Sequence, residues 1–312
     1  MDTVAVVLER PERLSLRRLE LTPPADDDVV VEVEWTGISA GTERLLWTGR
    51  MPSFPGMGYP LVPGYESVGR VVHAGRSADR RVGDRVFVAG ARCFGETRAL
   101  FGGAASRLVV PGSRAIPFSE ALGEQGVLLA LAATAYHAAW GAGAAAPDLI
   151  VGHGALGRLL ARLALALGSP APTVWERNAE RRGGADGYAV LDPAEDDRRD
   201  YRSIYDVSGD ATILDQLIAR LAPRGEIVLA GFYSDALSFH FAPAFLREAR
   251  LRVAAEWRPA DLDAVTALAN DGRLSLDGLI THRVRSASAE QAYTTAFTDP
   301  SCVKMLLDWR TA

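Results

Sequence analysis

Cysteine is nearly missing from this chain: Cys93 and Cys302 are the only two among 312 residues. Two thiols so far apart build neither a disulfide framework nor a four-thiolate zinc site. No apolar run approaches the roughly 20 residues that span a bilayer. The opening Met1-Asp2-Thr3-Val4-Ala5 has neither the basic n-region nor the apolar h-region of a signal peptide. Excess positive charge is missing too. A net charge of -5 and a pI near 5.6 argue against nucleic acid as a partner, because phosphate binding wants a basic surface. Internal repeats and low-complexity tails are absent. Together these absences point to a cytoplasmic protein without a transmembrane segment, while composition leaves peripheral membrane attachment open.

What is present is the composition of a soluble globular protein, 48% hydrophobic and 23% charged, long enough for one large or two ordinary domains. The first third is β-rich. Val4 to Leu8, Val29 to Val33, Gly69 to His73, Arg85 to Ala89 and Ser106 to Val110 read as short strands, punctuated by Gly and Pro, which suggests an irregular barrel-like unit. Near residue 119 the character changes. An Ala/Leu-rich helical stretch runs to about Gly141. Strands at 149–151, 173–175, 204–207 and 226–230 then alternate with helices at 155–167 and 211–221. Such alternation implies a parallel sheet covered on both faces, an α/β domain of the doubly wound, Rossmann type.

Gly152-His153-Gly154-Ala155-Leu156-Gly157 follows the strand Leu149-Ile150-Val151 and opens a helix, the context in which a G-x-G-x-x-G loop binds a dinucleotide. Gly152 permits a tight turn, Gly154 lets backbone approach a pyrophosphate, and Gly157 lets helix and strand pack closely. The helix N-terminus adds N–H donors and a positive dipole end. His153 is large for its position and reads either as a contact to pyrophosphate or substrate or as a surface-facing loop residue. Glu176 ends the next strand, nineteen residues after Gly157. A carboxylate there accepts from ribose hydroxyls and repels a 2′-phosphate, favouring NAD over NADP, although Arg177 beside it could meet a phosphate or stack on adenine.

Several segments resemble the medium-chain dehydrogenase/reductase superfamily. Thr36-Gly37-Ile38-Ser39 is similar to its Thr-Gly-Ile-Cys, and Gly64-Tyr65-Glu66-Ser67-Val68-Gly69 to its Gly-His-Glu-x-x-Gly. Val82-Gly83-Asp84-Arg85-Val86, Thr134-Ala135-Tyr136-His137-Ala138 and Asp206-Val207-Ser208-Gly209 resemble further segments, so the likeness covers essentially the whole chain. It implies a GroES-like substrate domain over 1–120, a Rossmann dinucleotide domain over 121–245 and a segment, 246–312, that returns to the substrate domain. Members with catalytic zinc use Cys, His and a third ligand. Here those positions read Ser39, Tyr65 and, by spacing to Thr134, Ala130, and the structural-zinc lobe would need four cysteines where Cys93 stands alone. The resemblance therefore implies no metal at either site.

One branch fits better still. Gly37 to Arg44 and Phe54-Pro55-Gly56-Met57-Gly58-Tyr59-Pro60 resemble the dehydrogenases of bacteriochlorophyll biosynthesis. That resemblance implies NAD-linked oxidation of the 3-(1-hydroxyethyl) group of a bacteriochlorophyllide to 3-acetyl. Without a metal, hydrogen-bonding side chains must stabilise the alkoxide, with Ser39, Thr42, Glu43, Tyr65 and Glu66 as candidates. The competing structural readings are a Tyr65 ring that fills a vacated metal pocket and a Glu66 carboxylate bonded to backbone. A flat, apolar chlorin with a carboxylate tail calls for aromatic walls and a basic rim. Trp47, Met51, Phe54, Tyr59 and Phe94 are candidate walls, and Arg44 a candidate partner for the propionate, unless these loops simply fold onto the domain core. Homodimerisation and attachment to photosynthetic membranes are further possibilities of the branch. Two other readings stand beside it: a zinc-free, NADPH-linked quinone or enoyl reductase, against which Glu176 speaks, and a non-catalytic dinucleotide-binding sensor.

Overall fold

The computed structural model describes residues 1–53 and 55–310. The chain divides into two compact units, Met1–Ala130 with Leu279–Ala312, and Leu131–Gly278.

The first unit is built on a long central strand, Asp28–Ile38, whose valines Val29, Val30, Val31 and Val33 are buried on both faces. One edge pairs with Ser67–Ala74. The other edge is shared: Arg107–Pro111 takes its first half and Met305–Asp308 its second. The sheet continues through Arg85–Val88 to Ala115–Pro117 on one side and to His282–Arg285 on the other. Gly69 lies opposite an irregularity in the central strand, where an added Cβ would sit 2.1 Å from the Glu32 carbonyl oxygen. A second, four-stranded sheet runs Arg13–Glu20, Asp2–Arg10, Leu61–Val62, Arg98–Ala99. Apolar faces of both sheets and of the Ala289–Thr298 helix meet in one core.

The second unit carries a six-stranded, all-parallel sheet in the order Ala189–Leu191, Thr173–Trp175, Leu149–Val151, Tyr201–Asp206, Leu221–Leu229, Arg250–Val253. Crossovers between parallel strands need helices, and the Ala155–Ala166 helix supplies the first, burying Leu159, Leu160 and Leu163. The doubly wound architecture is as expected. Residues 246–278, expected to return to the first domain, instead belong to this unit. Arg250–Val253 extends the parallel sheet. The Pro259–Asn270 helix is anchored by Asp261, whose Oδ2 lies 2.7 Å from His137 Nδ1 with both side chains buried. The return begins at Leu279. His137 is thus a satisfied interior histidine.

The expected helix at 119–141 is three pieces: a 3-10 stretch Glu120–Leu128 interrupted at Gly123 (φ 51°), an α-helix Leu129–Tyr136 and a π-turn His137–Gly141. Among the described residues no helix is long and apolar enough to cross a membrane.

Candidate active site

Sheet register assembles the polar centre of the first unit. Thr36 pairs with Ser67 and Ile38 with Met305, so the chain leaving the central strand at Ser39, the chain entering the next strand at Tyr65-Glu66, and Lys304 lie side by side at one end of the sheet. Lys304 is the chain's sole lysine; the remaining 33 cations of its type are arginines. It is buried, and its ammonium donates to both oxygens of fully buried Glu66, at 2.8 and 2.7 Å, and to the Ile38 carbonyl at 3.2 Å. A compact ammonium with three donors matches three converging acceptors better than a planar guanidinium fork does. Gly37 makes room: a Cβ there would fall 2.1 Å from Glu66 Oε2. Burial pushes the Glu66 carboxyl above its ordinary range, and the Lys304 charge opposes that shift. The carboxylate is committed to lysine, neither to backbone nor to Tyr65.

Beside this pair, Ser39 Oγ and Tyr65 OH are 2.6 Å apart. Thr42 is a second hydrogen-bonding neighbour of the phenol. Ser39 is buried, whereas Tyr65 and Thr42 are partly exposed. The Phe101 ring meets Tyr65 edge-on at 5.2 Å. Burial, reinforced by the Glu66 charge, pushes the phenol above its ordinary value, so Tyr65 stays protonated as a donor or relay. Of the named candidates, Ser39 and Thr42 therefore both meet the Tyr65 hydroxyl.

Glu43, on the first turn of the Thr42–Trp47 helix, is almost wholly buried. Its carboxylate accepts the Ser39 N–H at 2.8 Å and the Tyr293 hydroxyl at 2.6 Å, while its own N–H donates to the Ser39 carbonyl. Burial pushes its carboxyl up to about 7. This reciprocal lock fixes the backbone that carries Ser39.

The aromatic candidates divide. Met51 and Phe94 belong to the domain core, so the structure assigns them packing in place of a cleft wall. Trp47 and Tyr59 pack on the same core but remain partly exposed, Tyr59 donating to the Leu46 carbonyl. Arg44 is exposed. Phe54 lies outside the described residues. Cys93 is buried, with its thiol pushed up to about 11 by desolvation, and behaves as a small hydrophobe. Among the described residues no three His, Cys, Asp or Glu side chains come together as a metal would require.

In the second unit the three loop glycines have separate reasons. Gly152 has φ +106°, which L side chains rarely adopt. An added Cβ on Gly157 would lie 1.9 Å from the Gly152 carbonyl oxygen. Around Gly154, the N-cap of the helix, a Cβ would meet nothing within 4 Å, leaving its backbone approachable. Ala155 and Leu156, the first helical residues, are partly exposed. Glu176 is partly buried, its two oxygens accepting the N–H groups of His153 (3.1 Å) and Asn178 (2.9 Å). Arg177 is exposed, 3.8 Å from Asp210. The His153 side chain is 0% exposed, which rules out a surface-facing loop histidine.

Residues 25–122 match the alcohol dehydrogenase GroES-like domain. The chain is 58% identical over 315 residues to the 2-desacetyl-2-hydroxyethyl bacteriochlorophyllide A dehydrogenase of Cereibacter sphaeroides, covering 99% of each chain. It is 58% identical to the Rhodobacter capsulatus protein of the same name, over 100% of both. A solved short chain alcohol dehydrogenase from Escherichia coli CFT073, complexed with NADH, superposes with a TM-score of 0.83 at 22% identity, covering 98% of this chain and 99% of that one.

Two outcomes follow from this geometry. Lys304→Met strands a buried carboxylate and is expected to lower unfolding free energy by about 3–5 kcal/mol in urea titration. Adding Glu66→Gln should recover part of that loss. Glu43 has a folded pKa near 7 against 4.5 unfolded, so the folded state binds more protons. Its contribution is complete at low pH and is lost as pH rises from about 4.5 through 7. Glu43→Gln should therefore gain stability relative to the parent chain across that window, by about 3 kcal/mol at most, read from denaturation curves at several pH values.

Proposed function

The chain belongs to the family of the 2-desacetyl-2-hydroxyethyl bacteriochlorophyllide A dehydrogenases, medium-chain alcohol dehydrogenase-type oxidoreductases that act on a CH–OH group, and from that premise we propose that it oxidises the 3-(1-hydroxyethyl) group of a bacteriochlorophyllide to 3-acetyl with NAD and without catalytic zinc. The observation that carries the zinc-free reading is the Ser39–Tyr65 hydroxyl pair, 2.6 Å apart, where zinc-dependent members place thiolate and imidazole. Ala130 adds no side-chain donor, and the carboxylate alongside is already neutralised by Lys304. A site of two protonated hydroxyls beside a lysine ammonium does not fit a divalent cation.

The Tyr65 oxygen accepts from the carbinol hydroxyl, while its own proton points along the hydrogen bonds to Ser39 and Thr42. As the carbinol C–H bond breaks, the hydroxyl proton passes along these side-chain hydroxyls to solvent. The Lys304–Glu66 pair keeps the site's background charge near neutral. Bound NAD supplies the hydride acceptor, nicotinamide C4. The open backbone at Gly154 and the free helix N-terminus suit its pyrophosphate. Each Glu176 oxygen keeps an acceptor position for a ribose hydroxyl, and its charge disfavours a 2′-phosphate. Trp47, Tyr59 and Phe101 offer aromatic surface to the macrocycle, and Arg44 a cation to its propionate.

We further read the protein as a homodimer formed through the second unit. Arg250–Val253 is an edge strand, and exposed Phe239, Phe241, Phe245, Leu246, Leu251 and Val253 lie on it or near it in sequence. An unpaired edge needs backbone donors and acceptors. An antiparallel copy of the same strand provides them and lipid does not. Val253→Glu with Phe245→Glu should halve the mass seen by sedimentation; an unchanged mass removes this surface from the assembly.

The activity itself is tested with purified protein, NAD and a hydroxyethyl chlorin, followed by the chlorin absorbance shift, with metal content measured on the same sample. Turnover at substoichiometric zinc is expected; stoichiometric zinc, or turnover with NADPH alone, defeats the reading. Tyr65→Phe should lower kcat by about 10²–10⁴-fold while NAD affinity holds, and near-parental turnover would remove Tyr65 from the chemistry.

A further inference from the structure

The residue between the first two glycines of the dinucleotide loop is enclosed, although it is an imidazole. His153 Nδ1 lies 2.7 Å from the Arg181 carbonyl oxygen, so Nδ1 carries the hydrogen and donates. That tautomer leaves Nε2 to accept from the Tyr188 hydroxyl at 2.9 Å. The two rings meet edge-on, 5.6 Å apart. Arg158, on the first turn of the Ala155–Ala166 helix and only 5% exposed, donates from Nε to the His153 carbonyl (3.0 Å) and from Nη2 to the carbonyls of Arg181 (3.0 Å) and Gly183 (2.9 Å). The Gly184 backbone passes so close to this guanidinium that a Cβ would sit 2.6 Å from it. With Glu176 accepting its N–H, residue 153 is held at its N–H, its C=O and its ring.

We propose that His153 is a positioning residue for the dinucleotide: with Tyr188 and Arg158 it clamps the glycine-rich loop to the 179–188 segment, holding the pyrophosphate wall and the adenosine wall of the site in register before the cofactor arrives. This rests on the dinucleotide reading of Gly152–Gly157. A loop ordered in advance loses less conformational freedom on binding. The clamp therefore acts on affinity and leaves the chemical step alone. Desolvation holds the imidazole's pKa down to about 4, so the neutral tautomer persists across the working range.

The test measures dissociation constants for NAD and for ADP-ribose by calorimetry, with kcat at saturating NAD, in the full-length chain. His153→Ala should weaken both ligands by about tenfold with kcat within about twofold of the parent. Tyr188→Phe should weaken both by about threefold, and should add nothing in the His153→Ala background. Tyr188→Phe removes one hydroxyl and keeps the ring, so it serves if the alanine variant fails to fold. Unchanged affinity in folded variants overturns the clamp alone, as does a fall in kcat at constant affinity. A parent chain that binds neither NAD nor NADP overturns the dinucleotide reading and the clamp with it.

Discussion

A lysine ammonium buried against a glutamate carboxylate is the constraint on which the first unit's site depends. Removing two charges from water is costly unless geometry is good and every donor is used. Here all three ammonium donors are used, on Glu66 and the Ile38 carbonyl. That requirement ties three segments far apart in sequence. It demands glycine at position 37, where any Cβ would meet the carboxylate. It fixes the end of the central strand, from which Ser39 projects toward Tyr65. The hydroxyl pair and the Glu43 lock are built on a frame that this ion pair keeps in register.

The two units use opposite devices at their sites. In the first, polar side chains are packed densely: two hydroxyls are hydrogen-bonded to each other, a buried acid clasps their backbone, and a cation cancels the acid beside them. In the second, side chains are withdrawn from the face of the glycine loop, and a histidine and an arginine brace it from behind. One arrangement concentrates donors and charges in a small buried volume; the other leaves backbone bare at Gly154.

Much of this was legible in the sequence. The strands Leu149–Val151 and Thr173–Trp175 stood out because buried parallel strands are short apolar runs bounded by turn residues. The glycine loop carried its own context. Other elements were hidden for physical reasons. Arg13–Glu20 reads as a polar, arginine-rich stretch because, of its eight residues, only Leu14 and Leu19 are buried. The Thr42–Trp47 helix is one and a half turns long, too short to show a period. Arg250–Val253 alternates charge and apolar residues because it lies at a sheet edge, so the second unit was expected to end too early. Met51 and Phe94 looked like cleft walls because loop aromatics and core aromatics are the same residues in sequence. Lys304 carries no local motif; its only signal was being the single lysine in an arginine-rich chain, and its partner lies 238 positions away.

That solitary lysine has a consequence for handling the protein. Every other side-chain cation of its class is a guanidinium, inert to reagents that acylate or alkylate amines. Its own amine is sealed within the sheet at 2% exposure. Active esters, aldehydes and dialdehyde fixatives therefore find no side-chain amine on the folded surface. Modification of the one ε-amine can proceed only while the strands around it part, so the rate of its acylation is a built-in clock for that opening.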